Sequence, residues 1–361
     1  MNWETLYCPN RSCCYYGIPF YEGRLVKNGS THGFPQALCK ACGSSVSLRY
    51  GTAYYGLEVE KTLFEIAIRA LAEGNSIRAT ARIIQVDKDT VCDWLHQAAR
   101  HCRHVMLYLW QNLHVTECQL DELWSFIHTK ERNLPSAKFY HESYGDAWVW
   151  LAFAPVWRVV LAFVIGKRTQ ENANLLLDRV AHITDAHIPF FTSDQFSEYR
   201  TALLHTYGQW YQPPRKGNRG RYPKSRRVPL PELVYAQVVK IRNSNGRLVK
   251  VKNKIIFGES AQLNEKLAES PVSYTVNTSF IERENLTQRQ NNRRLTRRSN
   301  GFSKKLSWFE KQLWLSMAYY HLVLPHQSLR QELLNPEPTL GTGSHRRWQP
   351  RTPAMAAGIT T

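Results

Sequence analysis

No apolar run in this 361-residue chain is long enough to cross a bilayer, and runs such as Trp148 to Val156 have the length of buried strands instead. No secretory signal is expected, because the chain opens on polar MNWETLYC. Acid is scarce: 29 Asp and Glu stand against 47 Lys and Arg, for a formal net charge of +18 and a pI near 9.6. That balance points to a polyanionic partner, most economically nucleic acid. No amphipathic basic helix of the membrane-surface type is present, so a membrane is not expected as that partner. On this reading a cytoplasmic location is expected. What is there is a 43% hydrophobic composition over a length suited to two or three domains.

Eight cysteines without a secretory signal favour metal binding over disulfides. Cys8 and Cys13 are followed, after a long gap, by Cys39-Lys-Ala-Cys42-Gly43. Two such pairs form a zinc-ribbon pattern, each supplying two thiolates of a tetrahedral Zn2+ site. The first pair is the looser, and Cys14 stands beside Cys13 as an alternative ligand. Gly23 to Gly29 resembles a short strand entering a turn, as a ribbon requires. A thioredoxin-like redox pair is the rival, but no βαβ pattern surrounds the cysteines.

Gly56 to Cys102 has helical spacing, with Leu57, Leu63, Ile66, Ala67, Ala70 and Leu71 as one face and a stop at Gly74. A short helix, Ile77 to Ile84, is followed closely by another that begins at Asp87 or Lys88. Helix, tight turn and helix match a helix-turn-helix, with Lys88, Asp89 and Thr90 near the start of the recognition helix. An ordinary helical bundle would carry the same periodicity; the very short linker and the basic setting favour DNA binding.

In VTECQLDELWSFIHTK the residues alternate with a period of two and are apolar on both faces, which predicts a buried strand carrying Asp121 and Glu122. A carboxylate there is costly unless a cation meets it; the plainer alternative is a solvated strand end paired with surface Lys or Arg. Two further apolar runs, joined at Pro155-Val156, predict a hairpin. Gln170 to Ile183 predicts a helix with Leu175, Leu176, Val180 and Ile183 facing inward. IPFFTSD then predicts a short buried strand ending in Asp194. A carboxylate at that edge of a sheet is where sites are built, though it could equally cap the next helix. Gln212 to Pro231 is a basic Pro/Gly loop, and a strand hairpin follows to Phe257. From Ile281 a long basic helix is expected, with Glu282, Asn285, Arg289 and Arg293 on one face. Arg283, Arg289, Arg293, Arg294, Arg297 and Arg298 contribute to a dense positive surface suited to DNA backbone.

These stretches together resemble transposases of the insertion sequence one family, the InsA/InsB type. CPNRSC and CKAC followed by SIRATARIIQVDKDTVCDWL are similar to the InsA half; QLDELWSFI, FFTSDQFSEY and NTSFIERENLTQRQNNRRLTRRSNGFSK are similar to the InsB half. The resemblance implies an α/β fold: an RNase-H-like catalytic domain preceded by a zinc ribbon and a helix-turn-helix domain. It implies an Asp, Asp, Glu active site at Asp121, Asp194 and Glu282. Glu284 lies roughly 200° around a helix from Glu282, so only one of the two can face the site.

The expected organisation is a zinc-ribbon finger over 1–52 and a helix-turn-helix domain over 53–112, then a catalytic domain over 113–330. That domain carries a basic loop and hairpin insertion at about 210–258, and 331–361 forms a flexible tail. The chain departs from the family in reading through a single frame, in a longer spacing between Asp194 and Glu282, and in Phe309, where those proteins tend to have His.

The residue types suit phosphoryl transfer, because hard oxygen ligands hold Mg2+ (or Mn2+) and two such ions can activate an attacking oxygen and stabilise a leaving one. The expected activity is cleavage at the terminal repeats of an insertion sequence and strand transfer into target double-stranded DNA. The expected protein is a nucleoid-associated homo-oligomer, since two DNA ends must be handled at once. A DNA-binding regulator with an inert catalytic domain is the alternative, and its signature would be a lost carboxylate.

Overall fold

The structure is a computed structural model describing residues 3–134, 144–215, 217, 221–338 and 345–361. Residues 216 and 218–220 of the basic loop and 339–344 of the tail lie outside the described residues. The chain forms two compact units, Met1–Leu71 with Ile77–Cys102, and Ala72–Ser76 with Arg103–Thr361. Among the described residues no helix is long and apolar enough to cross a membrane.

The first unit begins with a three-stranded antiparallel sheet of β1 (Leu25–Thr31), β2 (Phe34–Cys39) and β3 (Ser45–Ser47). Thr31 pairs with Phe34 across His32 and Gly33, both with positive φ (51° and 78°), the turn whose twist matches a hairpin. Three helices follow: α1 (Lys61–Ala72), α2 (Ile77–Ile84) and α3 (Lys88–Leu109). Gln85 ends α2 at φ 57°, and Val86 N–H donates back to Ala81 O (3.1 Å), so the chain turns in three residues before α3 starts. Tyr54, Phe64, Ala67, Trp94 and Ala98 form the core beneath this turn. Ile66, expected on the inner face of α1, is 47% exposed, and Phe64 fills that role instead.

The second unit is built on a six-stranded mixed sheet in the order β11-β10-β7-β4-β5-β6. The antiparallel meander is β4 (Glu117–Ile127), β5 (Gly145–Ala154) and β6 (Val159–Gly166). On the other side of β4, β7 (Phe190–Asp194) runs parallel to it after α4 (Gln170–Ile183). The inner face of α4 is Ala173, Leu176, Leu177 and Val180. Leu175 points outward at 41% exposure, so the expected register was off by part of a turn.

After β7 come α5 (Ser197–Thr206) and a small pair, β8 (Gly208–Tyr211) with β9 (Arg226–Pro229). The hairpin β10 (Tyr235–Arg242) and β11 (Leu248–Phe257), expected as part of an insertion, extends the central sheet, because buried Tyr235 to Val238 pair in parallel with β7. Then follow α6 (Ser260–Glu269), α7 (Ser279–Asn291) and α8 (Leu306–Leu322). The helix expected from Ile281 ends at Asn291; Asn292 leaves helical geometry (φ −116°, ψ 103°) and its side chain accepts from Arg294 N–H (3.0 Å), so Arg293 to Lys305 are turns. In the stretch expected as a flexible tail, β12 (Gln331–Pro338) pairs with β13 (His345–Gln349), and α9 (Pro353–Ala356) packs on α8 with Ala354 buried.

Candidate active site and metal centres

Register brings the two strand carboxylates together. Leu120 of β4 pairs with Ser193 of β7, so Asp121 and Asp194 are the next residues along adjacent parallel strands, Asp194 at the carboxyl end of β7 and Asp121 midway along β4. Asp194 does not cap α5, whose N-cap is Phe196. Past Leu120, β7 stops while β4 continues, which opens space beside Asp121.

Asp121 Oδ2 accepts from Asn285 Nδ2 of α7 at 2.6 Å, and Oδ1 accepts from the Glu122 backbone N–H at 2.8 Å. Burial, with the charges of Asp194 and Glu282 adding to it, pushes Asp121 up to about 6. Glu122 has a side chain only 3% exposed, and its Oε2 lies 3.3 Å from the Arg168 guanidinium. Burial pushes Glu122 up to about 7 despite Arg168. Asp194 is also raised by burial, against the pull of Arg168 and Lys240. Arg168 is itself held between rings, 4.0 Å from Phe196 and 4.9 Å from Trp148.

Asp121, Glu122 and Asp194 offer carboxylate oxygens that all lie within 4.8 Å of one another. Glu122 Oε1 and Asp194 Oδ1 are buried with no hydrogen-bond partner. Converging hard oxygens with unsatisfied lone pairs and mutual repulsion fit a divalent cation. Glu282 stands beside this group rather than in it. Its Oε1 accepts from Thr278 Oγ1 (2.8 Å) and is ion-paired to Lys240, with the side chain 48% exposed. Glu284 turns away: it is 3% exposed, accepts from Gln288 Nε2 (2.6 Å), and burial pushes it up to about 8.

Glu122 is not among the ligands the resemblance implies, and strand alternation would send its side chain to the face opposite Asp121. Its signal was the adjacent Asp-Glu pair in a strand otherwise too apolar to hold two charges.

The first unit holds a second centre. Cys8, Cys13, Cys39 and Cys42 bring their sulfurs within 4.8 Å of one another, with Cys8–Cys42 at 3.6 Å and Cys13–Cys39 at 3.8 Å. A tetrahedral Zn2+ with Zn–S bonds of about 2.3 Å needs sulfurs about 3.8 Å apart, so the cluster could bind zinc. Cys13 is buried in the cluster and Cys14 is exposed outside it. Hydrogen bonding with Ser44 lowers Cys42, while burial and the neighbouring thiols raise Cys8 and Cys13, so four crowded sulfurs share charge poorly without a cation among them. Gly43, at φ 71°, makes the turn that brings Cys39 and Cys42 to one side.

The basic residues divide by what they touch. Lys88, Asp89 and Thr90 open α3, where Lys88 pairs with Asp89 at 2.9 Å and both are exposed. Arg283, Arg293, Arg297 and Arg298 are exposed. Arg289 and Arg294 instead brace the loop after α7, donating to Leu295 O (3.0 Å) and Ser303 Oγ (2.9 Å); burial pushes Arg289 down to about 10.

These observations define a mixed α/β protein with a cysteine cluster and an acidic cluster, each suited to a metal. Over 82 residues the chain is 34% identical to insertion element iso-IS1n protein InsB of Shigella dysenteriae, a match covering 23% of this chain and 50% of that protein. The chain is related to the IS1-type transposase family through this match. It spans about half the length of the curated relative it matches. No protein-family model matches the chain.

Proposed function

We propose that the chain is a DNA transposase that binds the terminal repeats of an insertion sequence and catalyses strand cleavage and transfer into target double-stranded DNA. The observation that carries this reading is the convergence of Asp121, Glu122 and Asp194 with two orphaned buried oxygens, in a chain of net charge +18. The RNase-H-like reading of the second unit draws support from its mixed sheet and from carboxylates side by side on two adjacent parallel strands.

In the reaction, a water oxygen attacks phosphorus at the element end and the P–O3′ bond breaks, leaving a 3′-hydroxyl. That hydroxyl then attacks a target phosphate and displaces the target 3′-oxygen. Mg2+ (or Mn2+), when bound, supplies activation of the attacking oxygen and charge stabilisation on the leaving one. Asp121, Glu122 and Asp194 would hold it, with Glu282 within reach once Lys240 is drawn to a phosphate. Asn285 fixes the Asp121 carboxylate, and Arg168 partly offsets the burial that favours protonated Glu122. Lys88 and Thr90 on α3 would read bases, and Arg283, Arg293, Arg297 and Arg298 would neutralise backbone phosphates. Zn2+ on the cysteine cluster would be structural. Two DNA ends per event make a homo-oligomer the working form.

The inert-regulator reading is not favoured, since Asp121, Asp194 and Glu282 are all present. The deciding assay uses labelled DNA carrying the ends of the element, with Mg2+, comparing wild type with Asp121→Asn and Asp194→Asn. Nicking and joining by wild type, lost in both variants while DNA binding persists, is the expected result. Binding without cleavage in wild type would sink the transposase reading in favour of the regulator.

A further inference from the structure

Between Leu120 and Ile127 the β7 side of β4 has no strand beside it among the described residues, until Ile127 bridges Ser303. The turns that follow α7 lie along this gap. Ser125 Oγ donates to Arg294 O (3.3 Å), His128 N–H donates to Ser303 O (2.8 Å), and Leu295 is buried. Gly301 lets the loop close, because a Cβ there would meet Arg293 O at 2.5 Å. Arg298 sits at φ 55°, a conformation uncommon for a side-chain-bearing residue and one that clusters at binding sites.

Strand and loop enclose a cavity of about 260 Å³ lined by Trp124, Phe126, Phe302, Lys130, Arg297 and Arg298, among others. The Trp124 and Phe126 rings are 5.7 Å apart and those of Phe126 and Phe302 are 4.8 Å apart, yet all three side chains remain partly exposed. Lys130 Nζ lies 5.8 Å from the Trp124 ring and 5.6 Å from that of Phe126. A pocket needed only for packing would close over its rings. This one leaves the rings partly exposed and surrounds them with cations.

Flat π-faces beside guanidinium and ammonium groups select a flat ring attached to a phosphate, which is how single-stranded nucleic acid is held. The cavity is smaller than the roughly 300 Å³ at which pockets for drug-sized ligands begin, so it suits one ring system and not a peptide. Trp124 is the next residue after Glu122 on the same strand face, about 7 Å along the strand. A base held there would belong to a nucleotide within a step or two of a phosphate at the carboxylates.

We propose that the Trp124–Phe126–Phe302 pocket takes a nucleobase unstacked from the DNA strand that enters the active site. The proposal rests on the DNA reading above and adds that the duplex is locally opened beside the scissile phosphate.

The test compares the full chain on two labelled duplexes of one sequence, one fully paired and one with a short unpaired bubble, by fluorescence anisotropy. Wild type is expected to favour the bubble about ten-fold, the order of one stacked base. Trp124→Leu and Phe302→Leu should abolish the preference while binding to the paired duplex is kept, and Trp124→Phe should keep most of the preference. Phe302 lies on the surface loop, so its variant decides the matter if Trp124→Leu fails to fold. Equal binding of both duplexes by wild type, or a preference that survives both leucine variants, overturns the pocket and leaves the DNA reading standing. No binding of either duplex by wild type overturns the DNA reading itself.

Discussion

His321 makes the second unit sensitive to mild acid. It lies on α8 with 0% exposure, and its Nε2 accepts from Val160 N–H at 2.9 Å while its Nδ1 meets Met317 O at 2.7 Å. The ring is therefore the neutral Nδ1–H tautomer, because an acceptor at Nε2 leaves the single proton for Nδ1. Trp110 packs edge-on against it at 5.0 Å, and its indole N–H donates to Val160 O (3.2 Å), so the N–H and the C=O of one residue at the start of β6 are both held. Burial pushes His321 down to about 3 from an ordinary value of 6.5.

A depressed folded pKa means the unfolded chain takes up the proton first. Stability is complete above 6.5 and falls as pH drops from there toward 3. Between pH 7.5 and pH 5 the loss from this one group is about 2 kcal/mol, since the unfolded state gains about 1.5 units of protonation free energy. Raised acids such as Glu284 act in the opposite direction but are common to wild type and variant. The assay is urea unfolding at both pH values, wild type against His321→Gln, whose amide oxygen can still accept from Val160. The variant should lose about 2 kcal/mol less on acidification. Equal losses in the two proteins would refute the buried, neutral histidine and the grip on β6.

The cysteine cluster should carry one zinc per chain by elemental analysis; Cys39→Ser should lose it and Cys14→Ser should keep it, and zinc in a Cys39→Ser protein would refute the ligand set. Glu122→Gln should raise the melting temperature of the ion-free protein by relieving the crowded charges, and should shrink the further rise that Mg2+ brings. A larger rise with Mg2+ in the variant would remove Glu122 from the ion site. Arg49 is 4% exposed, lies 3.2 Å from the Phe34 ring and donates to Leu57 O (2.6 Å). Arg49→Ala should cost about 2 kcal/mol and speed proteolysis of the first unit, whereas the exposed Arg24→Ala should leave its unfolding unchanged.

Much of this site was legible because its signals are local. The period-two strand around Asp121, the short apolar run into Asp194 and the paired cysteines each announce an element and a residue within a few positions. What was not legible depends on distant pairing. Only the parallel register of β10 on β7 makes the hairpin part of the central sheet. Only the early end of β7 lets Glu122 reach the same space as Asp121, against the alternation of its own strand. The clamp on Arg168 needs Trp148, Phe196 and Glu122 from separate segments, which no spacing rule connects. The stretch after Asn291 has the charge of a helical face, but the Asn292 side chain turns the backbone out of the helix.

The strand β4 outlasts its neighbour, and an unpaired strand edge ordinarily invites another chain to add itself there. In this protein the loop that closes with Gly301 lies in that place, held by a few hydrogen bonds and not by a full ladder. A sheet that stops short on one side thus leaves a berth along Leu123 to Phe126 that no strand fills among the described residues, covered by that loop. A DNA strand entering it would meet a surface that a β-strand could have occupied. Amide exchange at Trp124 and Phe126, whose N–H groups face the gap, should then be faster than in β5 for the free protein and slow markedly when DNA is bound.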